Sequence, residues 1–482
     1  MFETRNHIDG RWVEGPSTLP DINPSDTREV IGEFAQAGED QVPEAITAAR
    51  RAQSQWQWSP PETRYGALMQ IGNALMERSA ELGELLSREE GKTLPEGKGE
   101  VYRAGQFFTY YAAEVLRRMG DLTDSVRPGV EVLVSREPVG VVAVITPWNF
   151  PTALPAWKLA PAIAHGNAVV WKPASLVPAS AAALMQIIED SDLPPGLVNM
   201  VLGSGRTVGE ALITSPDIDA ITFTGSLATG RRIAEAAAVN LTKLQMEMGS
   251  KNPLVVVDDA DLDTAVSCAV NGSFFSMGQK CTASSRIVVT RGVHDEFVAR
   301  MQAAMDRLVI GHALEADSQI GPVVDEHQLA RNLSYIEIGR GDGAELVCGG
   351  EPLERATPGH YMAPALFVGG DNAMRLNREE VFGPLTCVLR ADDYDHALAL
   401  ANDTEFGLTS SIITTSLSRA THFRRHSRTG CVMVNLPTSG TDYHVPFGGR
   451  KNSSFGPREQ GRHAEEFYTQ VKTAYVSAGQ AG

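Results

Sequence analysis

Residues 139–172 read VGVVAVITPWNFPTALPAWKLAPAIAHGNAVVWK. The opening run, 139–145, is apolar and β-branched, as is 168–172, and the stretch between them is amphipathic. That succession is the pattern of a strand, a covering helix and a parallel neighbour strand. Working outward, further short runs stand at 197–202, 220–224 and 244–246, and a second set at 252–257, 285–290, 386–390, 410–415 and 431–435. Strands alternating with helices predict parallel, doubly wound sheets, so the expected fold class is α/β with two such units meeting near Gly249. Ahead of the first unit, apolar residues recur at helical spacing from 42 to 118, punctuated by Gly91 and Pro95, which predicts a helical opening layer. Val130, Val132 and Val134 then alternate with Glu131, Leu133 and Ser135, a period-two β-ribbon. The tail at 474–477 reads as a short strand able to pair with that ribbon, including across a subunit contact.

A chain of 482 residues has room for a large buried core, and 43% hydrophobic against 21% charged residues places it among ordinary globular enzymes rather than disordered or fibrous chains. The formal net charge of -17 argues against a nucleic-acid surface, which relies on Lys and Arg to displace counterions from phosphates. Anionic ligands are still compatible with it, because backbone amides and helix N-termini bind phosphate without net charge. The start, Met1-Phe2-Glu3-Thr4-Arg5, lacks the apolar core of a secretory signal, and no apolar run reaches membrane-spanning length. A cytoplasmic protein with no membrane or nucleic-acid partner is the expectation. Five cysteines, an odd number, are read as reduced thiols rather than a disulfide framework. Glycosylation triplets beginning at Asn240, Asn332 and Asn452 are read as chance matches.

Cys281 stands apart from the other four, in the polar, cationic and glycine-bearing segment Met277-Gly278-Gln279-Lys280-Cys281-Thr282. A neighbouring cation and exposed backbone amides lower a thiol pKa and make the nucleophilic thiolate available. Cys268, Cys348, Cys387 and Cys431 lie in helix-like, turn or apolar strand-like settings and read as small buried side chains. Glu247 is enclosed by Met246 and Met248 and followed by Gly249. An apolar setting raises a carboxyl pKa towards the working pH of a general base, although Glu247 taken alone reads more readily as a surface residue at a strand end. Two glycine segments, Gly203 to Gly209 (including Gly205) and Phe223 to Gly230 (including Gly225 and Ser226), follow apparent strands and precede apparent helices, where a cofactor phosphate could approach. In the second, Arg231-Arg232 replaces the Lys and hydroxyl residue of a P-loop, and neither is a G-x-G-x-x-G fingerprint, so each singly reads also as a plain tight turn.

Taken in order, Pro147-Trp148-Asn149-Phe150-Pro151, Lys172-Pro173-Ala174-Ser175, Phe223-Thr224-Gly225-Ser226, Glu247-Met248-Gly249, Gly278-Gln279-Lys280-Cys281, Glu380-Val381-Phe382-Gly383-Pro384 and Pro446-Phe447-Gly448-Gly449 resemble the aldehyde dehydrogenase superfamily almost end to end. The resemblance implies a dinucleotide-binding domain (1-122 and 143-249), a catalytic domain (250-448) and an oligomerisation ribbon with C-terminal tail (123-142 and 465-482), in a homodimer or homotetramer. It also implies the chemistry: Cys281 attacks the aldehyde, the Asn149 amide and the Cys281 N–H stabilise the oxyanion, and Glu247 activates water to hydrolyse the thioester, with Glu459 orienting or relaying protons to it. By the same resemblance Lys172 contacts the adenosine ribose, Glu380 holds the nicotinamide ribose, and Trp148, Gly205, Gly209, Phe223, Gly225, Ser226 and Phe382 belong to the cofactor site; no metal is implied. Many NAD-preferring relatives carry Glu where this chain has Ser175. A neutral hydroxyl removes the repulsion of a 2′-phosphate and offers a donor, so NADP is expected to be accepted beside NAD.

The segments Asp442 to Arg450 and Pro457 to Gly461 resemble the branch acting on α-ketoglutarate semialdehyde (2,5-dioxopentanoate), with succinate semialdehyde or a broad aldehyde range as the alternative. An acidic substrate needs a local cation, and Lys280, Arg103, Arg450 and Arg462 are the candidates. A coenzyme A-acylating relative would commonly lack Glu247, and a catalytically silent paralogue would be expected to lose Cys281 or Asn149; all three residues are present.

Overall fold

The computed structural model describes residues 3–117 and 120–479, so the parts of the domain and helix assignments falling on 1–2, 118–119 and 480–482 lie outside it. Two sheets organise the chain. The first has the order Arg11–Val13, Asn6–Ile8, Val198–Met200, Ala168–Lys172, Val141–Ile145, Ala220–Thr224, Lys243–Glu247, Ser454–Phe455. Its five inner strands are parallel, and antiparallel strands from the chain's two ends close both edges. The second runs Glu345–Cys348, Ala365–Val368, Leu385–Ala391, Ser284–Thr290, Asn252–Val256, Thr409–Ile413, Cys431–Val434, parallel except for its first strand. Each sheet carries its own apolar core, one drawn mainly from Ile8 to Met248 and the other from Leu254 to Phe423. Inner strands such as Val141–Ile145 and Asn252–Val256 are apolar along their length because helices cover both faces of a parallel sheet.

Each of the ten strand runs read from the sequence is a strand, with ends moved by a residue or two. Four short strands between 6 and 36, before the helical layer, are additions; helices at Gln41–Trp56, Pro61–Glu77, Ser79–Glu90 and Leu94–Glu114 follow them. The last helix starts on a capping box, Thr93 with Glu96, and carries Pro95 in its first turn, which fixes its origin. The ribbon strand Val130–Pro138 pairs on one side with Gly120–Asp124 and on the other with Thr469–Ser477, so the tail strand is longer than predicted and pairs within its own chain. Among the described residues no helix is long and apolar enough to cross a membrane, and no group of His, Cys, Asp and Glu is arranged to hold a metal.

Candidate active site

Cys281 lies in the short link between the turn Phe275–Gly278 and the strand Ser284–Thr290. Ser276 and Met277 hold left-handed backbone (φ 54° and 53°), a conformation that costs a side-chain-bearing residue on the order of 1–3 kcal/mol and persists where surrounding contacts enforce it. Those contacts grip the link from below: Asn252 Nδ2 donates to the Cys281 carbonyl at 2.8 Å, Ser250 Oγ donates to the same oxygen, and Thr438 Oγ1 donates to the Thr282 carbonyl at 2.6 Å. The expected lowering of the thiol pKa by Lys280 is overturned. Burial, with Glu247, Glu380 and Glu459 adding to it, pushes the Cys281 thiol well above its usual value, and the Lys280 ammonium donates instead to the Asn271 carbonyl at 3.3 Å.

Asn149 follows the Val141–Ile145 strand and precedes the helix Ala153–Ala164. Its Nδ2 donates to the Gln279 carbonyl at 2.9 Å, which fixes the amide plane and leaves one of its two N–H groups for another acceptor. Lys92 and Glu100, absent from the sequence reading, anchor this loop. They form a buried pair at 2.7 Å; Lys92 also donates to the Asn149 carbonyl, and Glu100 Oε1 accepts from the N–H groups of Thr152 and Ala153 at the helix start. An acid accepting at a helix N-terminus is favoured by both the free amides and the helix dipole.

Glu247 ends the last parallel strand of the first sheet and is 3% exposed. Ser454 Oγ donates to one carboxylate oxygen, and the other has no partner among the described residues. A Cβ at Gly448, where φ is 149°, would stand 2.7 Å from that free oxygen, so only glycine leaves it room. Burial, then the nearby Glu459, pushes the Glu247 carboxyl well above its usual range. Glu459 is itself buried and forms an ion pair with Lys158, which also donates to Thr222 Oγ1 at 2.8 Å. Lys158 was missed because a lysine inside the apolar run of a helix carries no motif.

Around Cys281 a cavity of about 200 Å³ is lined by Trp148 and Asn149, by Gly225 and Ser226, and by Gln328, Arg331, Glu380 and Phe382. Trp148 and Phe382 meet edge to face there, 5.5 Å apart, so Trp148 is a wall rather than core packing. Glu380 accepts from the Ser250 N–H at 2.8 Å, while Arg331 and Gln328 donate to the carbonyls of Glu380, Val381 and Phe382 and hold Phe382 at φ 62°. Gln328 and Arg331 lie on a helix distant in sequence and were not singled out. Ser226 caps the helix Leu227–Asn240, accepting from the Thr229 N–H at 3.2 Å, and so places free backbone amides at the cavity rim. Phe223 lies behind it, and a Cβ at Gly225 would come within 2.5 Å of its ring.

The remaining predicted residues do not line this cavity. Lys172, pushed down to about 8 by burial, packs its methylenes 3.8 Å from where a Cβ at Gly209 would sit, and Gly205 begins the same turn. No carboxylate pairs with Lys172 among the described residues; its ammonium donates to the Pro173 carbonyl at 3.2 Å. Ser175 was expected to offer a donor, but its hydroxyl proton goes to the Gly203 carbonyl at 3.2 Å and it borders a different cavity. Glu247 and Glu459 are not among the residues lining the Cys281 cavity. A cavity ringed by a helix N-terminus, an aromatic pair and a backbone-held carboxylate fits the pyrophosphate, ring and ribose of a dinucleotide.

The comparisons with known proteins agree with this geometry. Over nearly its whole length the chain is 39% identical to an alpha-ketoglutaric semialdehyde dehydrogenase of Bacillus subtilis, with 98% of this chain and 97% of the relative covered. It is 40% identical to an alpha-ketoglutarate semialdehyde dehydrogenase of Haloferax volcanii, covering 98% and 99%. Among solved structures it superposes on a betaine aldehyde dehydrogenase from Staphylococcus aureus in complex with NAD+, with a TM-score of 0.97 at 32% identity, covering 100% of this chain and 96% of that one. The family model for the aldehyde dehydrogenases matches residues 12–474, and the chain belongs to the aldehyde dehydrogenase family.

Proposed function

We propose that this enzyme oxidises α-ketoglutarate semialdehyde (2,5-dioxopentanoate) to the dicarboxylate with a nicotinamide dinucleotide, through a thioester on Cys281. The observation that carries the substrate is the full-length identity to relatives of that name. The chemistry rests on Cys281, the Asn149 amide and Glu380 sharing one cavity. In this reading the Cys281 thiol gives up its proton to water in the cavity as its sulfur bonds the aldehyde carbon, and the free Asn149 N–H with the Cys281 N–H holds the oxyanion. A bound nicotinamide would supply the acceptor for the hydride that leaves this carbon. Glu247, with an unpartnered oxygen and a raised pKa, then takes a proton from the water that cleaves the thioester, and Lys158 with Glu459 sets the charge around it. Ser226 and the amides beside it would take the pyrophosphate, Glu380 the nicotinamide ribose, and Lys172 the adenosine side. Lacking an acidic residue at Ser175 and a carboxylate at Lys172, the site takes NADP as well as NAD.

We further read residues 1-122 and 143-249 as the dinucleotide-binding domain, 250-448 as the catalytic domain, and 123-142 with 465-482 as the oligomerising part of a homodimer or homotetramer. Two separate cores and the exposed Leu122, Val471 and Tyr475 on the ribbon sheet favour this. Five unpaired cysteines suit a cytoplasmic setting. The test is NAD and NADP reduction with α-ketoglutarate semialdehyde, succinate semialdehyde and pentanal, with product analysis in the presence of coenzyme A. The five-carbon semialdehyde should have the highest kcat/KM and yield free acid, and Cys281→Ala should lower turnover by about 10⁴-fold or more. Equal use of pentanal would overturn the substrate assignment.

A further inference from the structure

A second cavity, about 280 Å³, is lined by Lys92, Glu96, Glu100, Arg103, Phe150 and Lys280, together with Ser276 and Ser439. It adjoins the first through the chain itself: Phe150 follows Asn149, and Lys280 precedes Cys281. An aldehyde carbon at Cys281 with its oxygen on Asn149 is thus flanked along the chain by two spaces that the rest of the substrate could enter. One is walled by Ser226 and Glu380, and the other is this second cavity.

The charges in its wall do not balance internally. Glu100 is consumed by Lys92 and by the N–H groups of Thr152 and Ala153. Glu96 is consumed by the capping box, accepting from Thr93 N–H and Oγ1, and by Ser276 Oγ at 2.7 Å. Arg103 and Lys280 are left over: among the described residues neither forms an ion pair with a carboxylate. Arg103 lies on one helix face with Phe107 and Tyr110, at spacings of four and then three, and that face packs on Tyr443. Its guanidinium sits 5.4 Å from the Tyr443 ring centroid, which orients the fork without neutralising it. Lys280 is 9% exposed, and among the described residues its one hydrogen bond is the 3.3 Å contact to the Asn271 carbonyl. Glu96, its oxygens already engaged, offsets part of the cost of burying the Lys280 charge, and an arriving anion lessens what remains. Burial accordingly holds the Lys280 ammonium down to about 8. Arg450 and Arg462, the other two cations singled out in the sequence, are exposed and line neither cavity.

We infer that Arg103 and Lys280 form the subsite for the distal carboxylate of the substrate, and that this pair sets the preference for acidic semialdehydes over uncharged aldehydes. The inference rests on the semialdehyde reading above and adds which side chains enforce it. Arg103 presents a planar fork suited to the carboxylate, and Lys280 supplies a second charge beside the nucleophile.

The experiment compares kcat/KM for α-ketoglutarate semialdehyde and pentanal in the wild-type enzyme, Arg103→Met, Arg103→Lys and Lys280→Gln. The ratio of the two values should fall at least tenfold in Arg103→Met and in Lys280→Gln, chiefly through KM for the semialdehyde, and Arg103→Lys should recover most of it. In the wild-type enzyme, kcat/KM for the semialdehyde should fall with ionic strength while that for pentanal stays level. α-Ketoglutarate should also slow iodoacetamide alkylation of Cys281, at a concentration at least tenfold higher in Arg103→Met. A wild-type enzyme that favours the semialdehyde, with variants that keep the same ratio, would overturn the subsite alone. A wild-type enzyme with no preference would overturn the substrate reading and the subsite together.

Discussion

Glu247, buried, and Glu380, half-buried at the cavity wall, are two glutamates whose carboxyls are both pushed upward by desolvation, and both bear on Cys281. Their surroundings differ. Glu380 has a backbone N–H from Ser250 on one oxygen, with Lys251 and Arg331 drawing its pKa back down. Glu247 has a hydroxyl on one oxygen, no partner among the described residues on the other, and a second carboxyl, Glu459, as neighbour. The first is built to accept hydrogen bonds with cations nearby; the second is built to exchange a proton. One residue type thus serves two purposes according to whether donors or acids surround it.

The strongest way to break this contrast is to remove both charges with minimal change of shape. Glu247→Gln should lower steady-state turnover by about 10²–10⁴-fold, the usual worth of a general base, while one equivalent of cofactor is still reduced in a rapid first turnover. Loss of that first turnover would place Glu247 before the thioester rather than after it. Asn149→Ala should cost about 10²–10³-fold in kcat, and here the first turnover itself should slow. Glu380→Gln should act mainly on the cofactor, raising its KM roughly tenfold, in line with the 1.5–3 kcal/mol of a hydrogen bond to a charged group. If Glu380→Gln instead behaved like Glu247→Gln, the division of labour would fall.

The smallest effect is in pH. With thioester hydrolysis limiting, kcat should rise with pH as Glu247 loses its proton, at a midpoint above that of an ordinary glutamate. Glu459 raises Glu247 and Lys158 lowers it, so Glu459→Gln, which removes the acid and leaves Lys158 unpaired, should move the midpoint to lower pH. A midpoint that stays put or rises would show that Glu459 does not act on Glu247 through charge.

Much of this was legible in sequence because inner parallel strands, such as 141–145 and 168–172, are continuous apolar runs that announce themselves. The strands at 6–8, 11–13 and 454–455 were not legible, since short edge strands carry little pattern and take their place from neighbours far away in the chain. Motif residues such as Cys281, Asn149 and Glu380 could be named individually, and the fold brings them to one cavity. Lys92, Glu100, Lys158, Gln328 and Arg331 could not, because each acts by a hydrogen bond or ion pair to a residue dozens to hundreds of positions away. The ionisation of Cys281 was misread for a related reason. Sequence shows which charge is adjacent along the chain, whereas the pKa answers to burial and to whichever carboxyls the fold brings near.

The segment from Phe447 to Thr469 threads back over the first sheet: Ser454–Phe455 pairs with the Lys243–Glu247 strand, the Gly461 carbonyl accepts from Tyr111 Oη, and the Tyr468 carbonyl accepts from Asn167 Nδ2. Ser454 and Glu459 travel on that segment, so a shift of this one return crossing would carry the hydroxyl and the acid away from Glu247 together. On the proposed roles, loosening it would leave Cys281 and Asn149 able to take up an acyl group while release of that group slowed. Letting go of product thus hangs on a different stretch of chain from the one that carries the thiol.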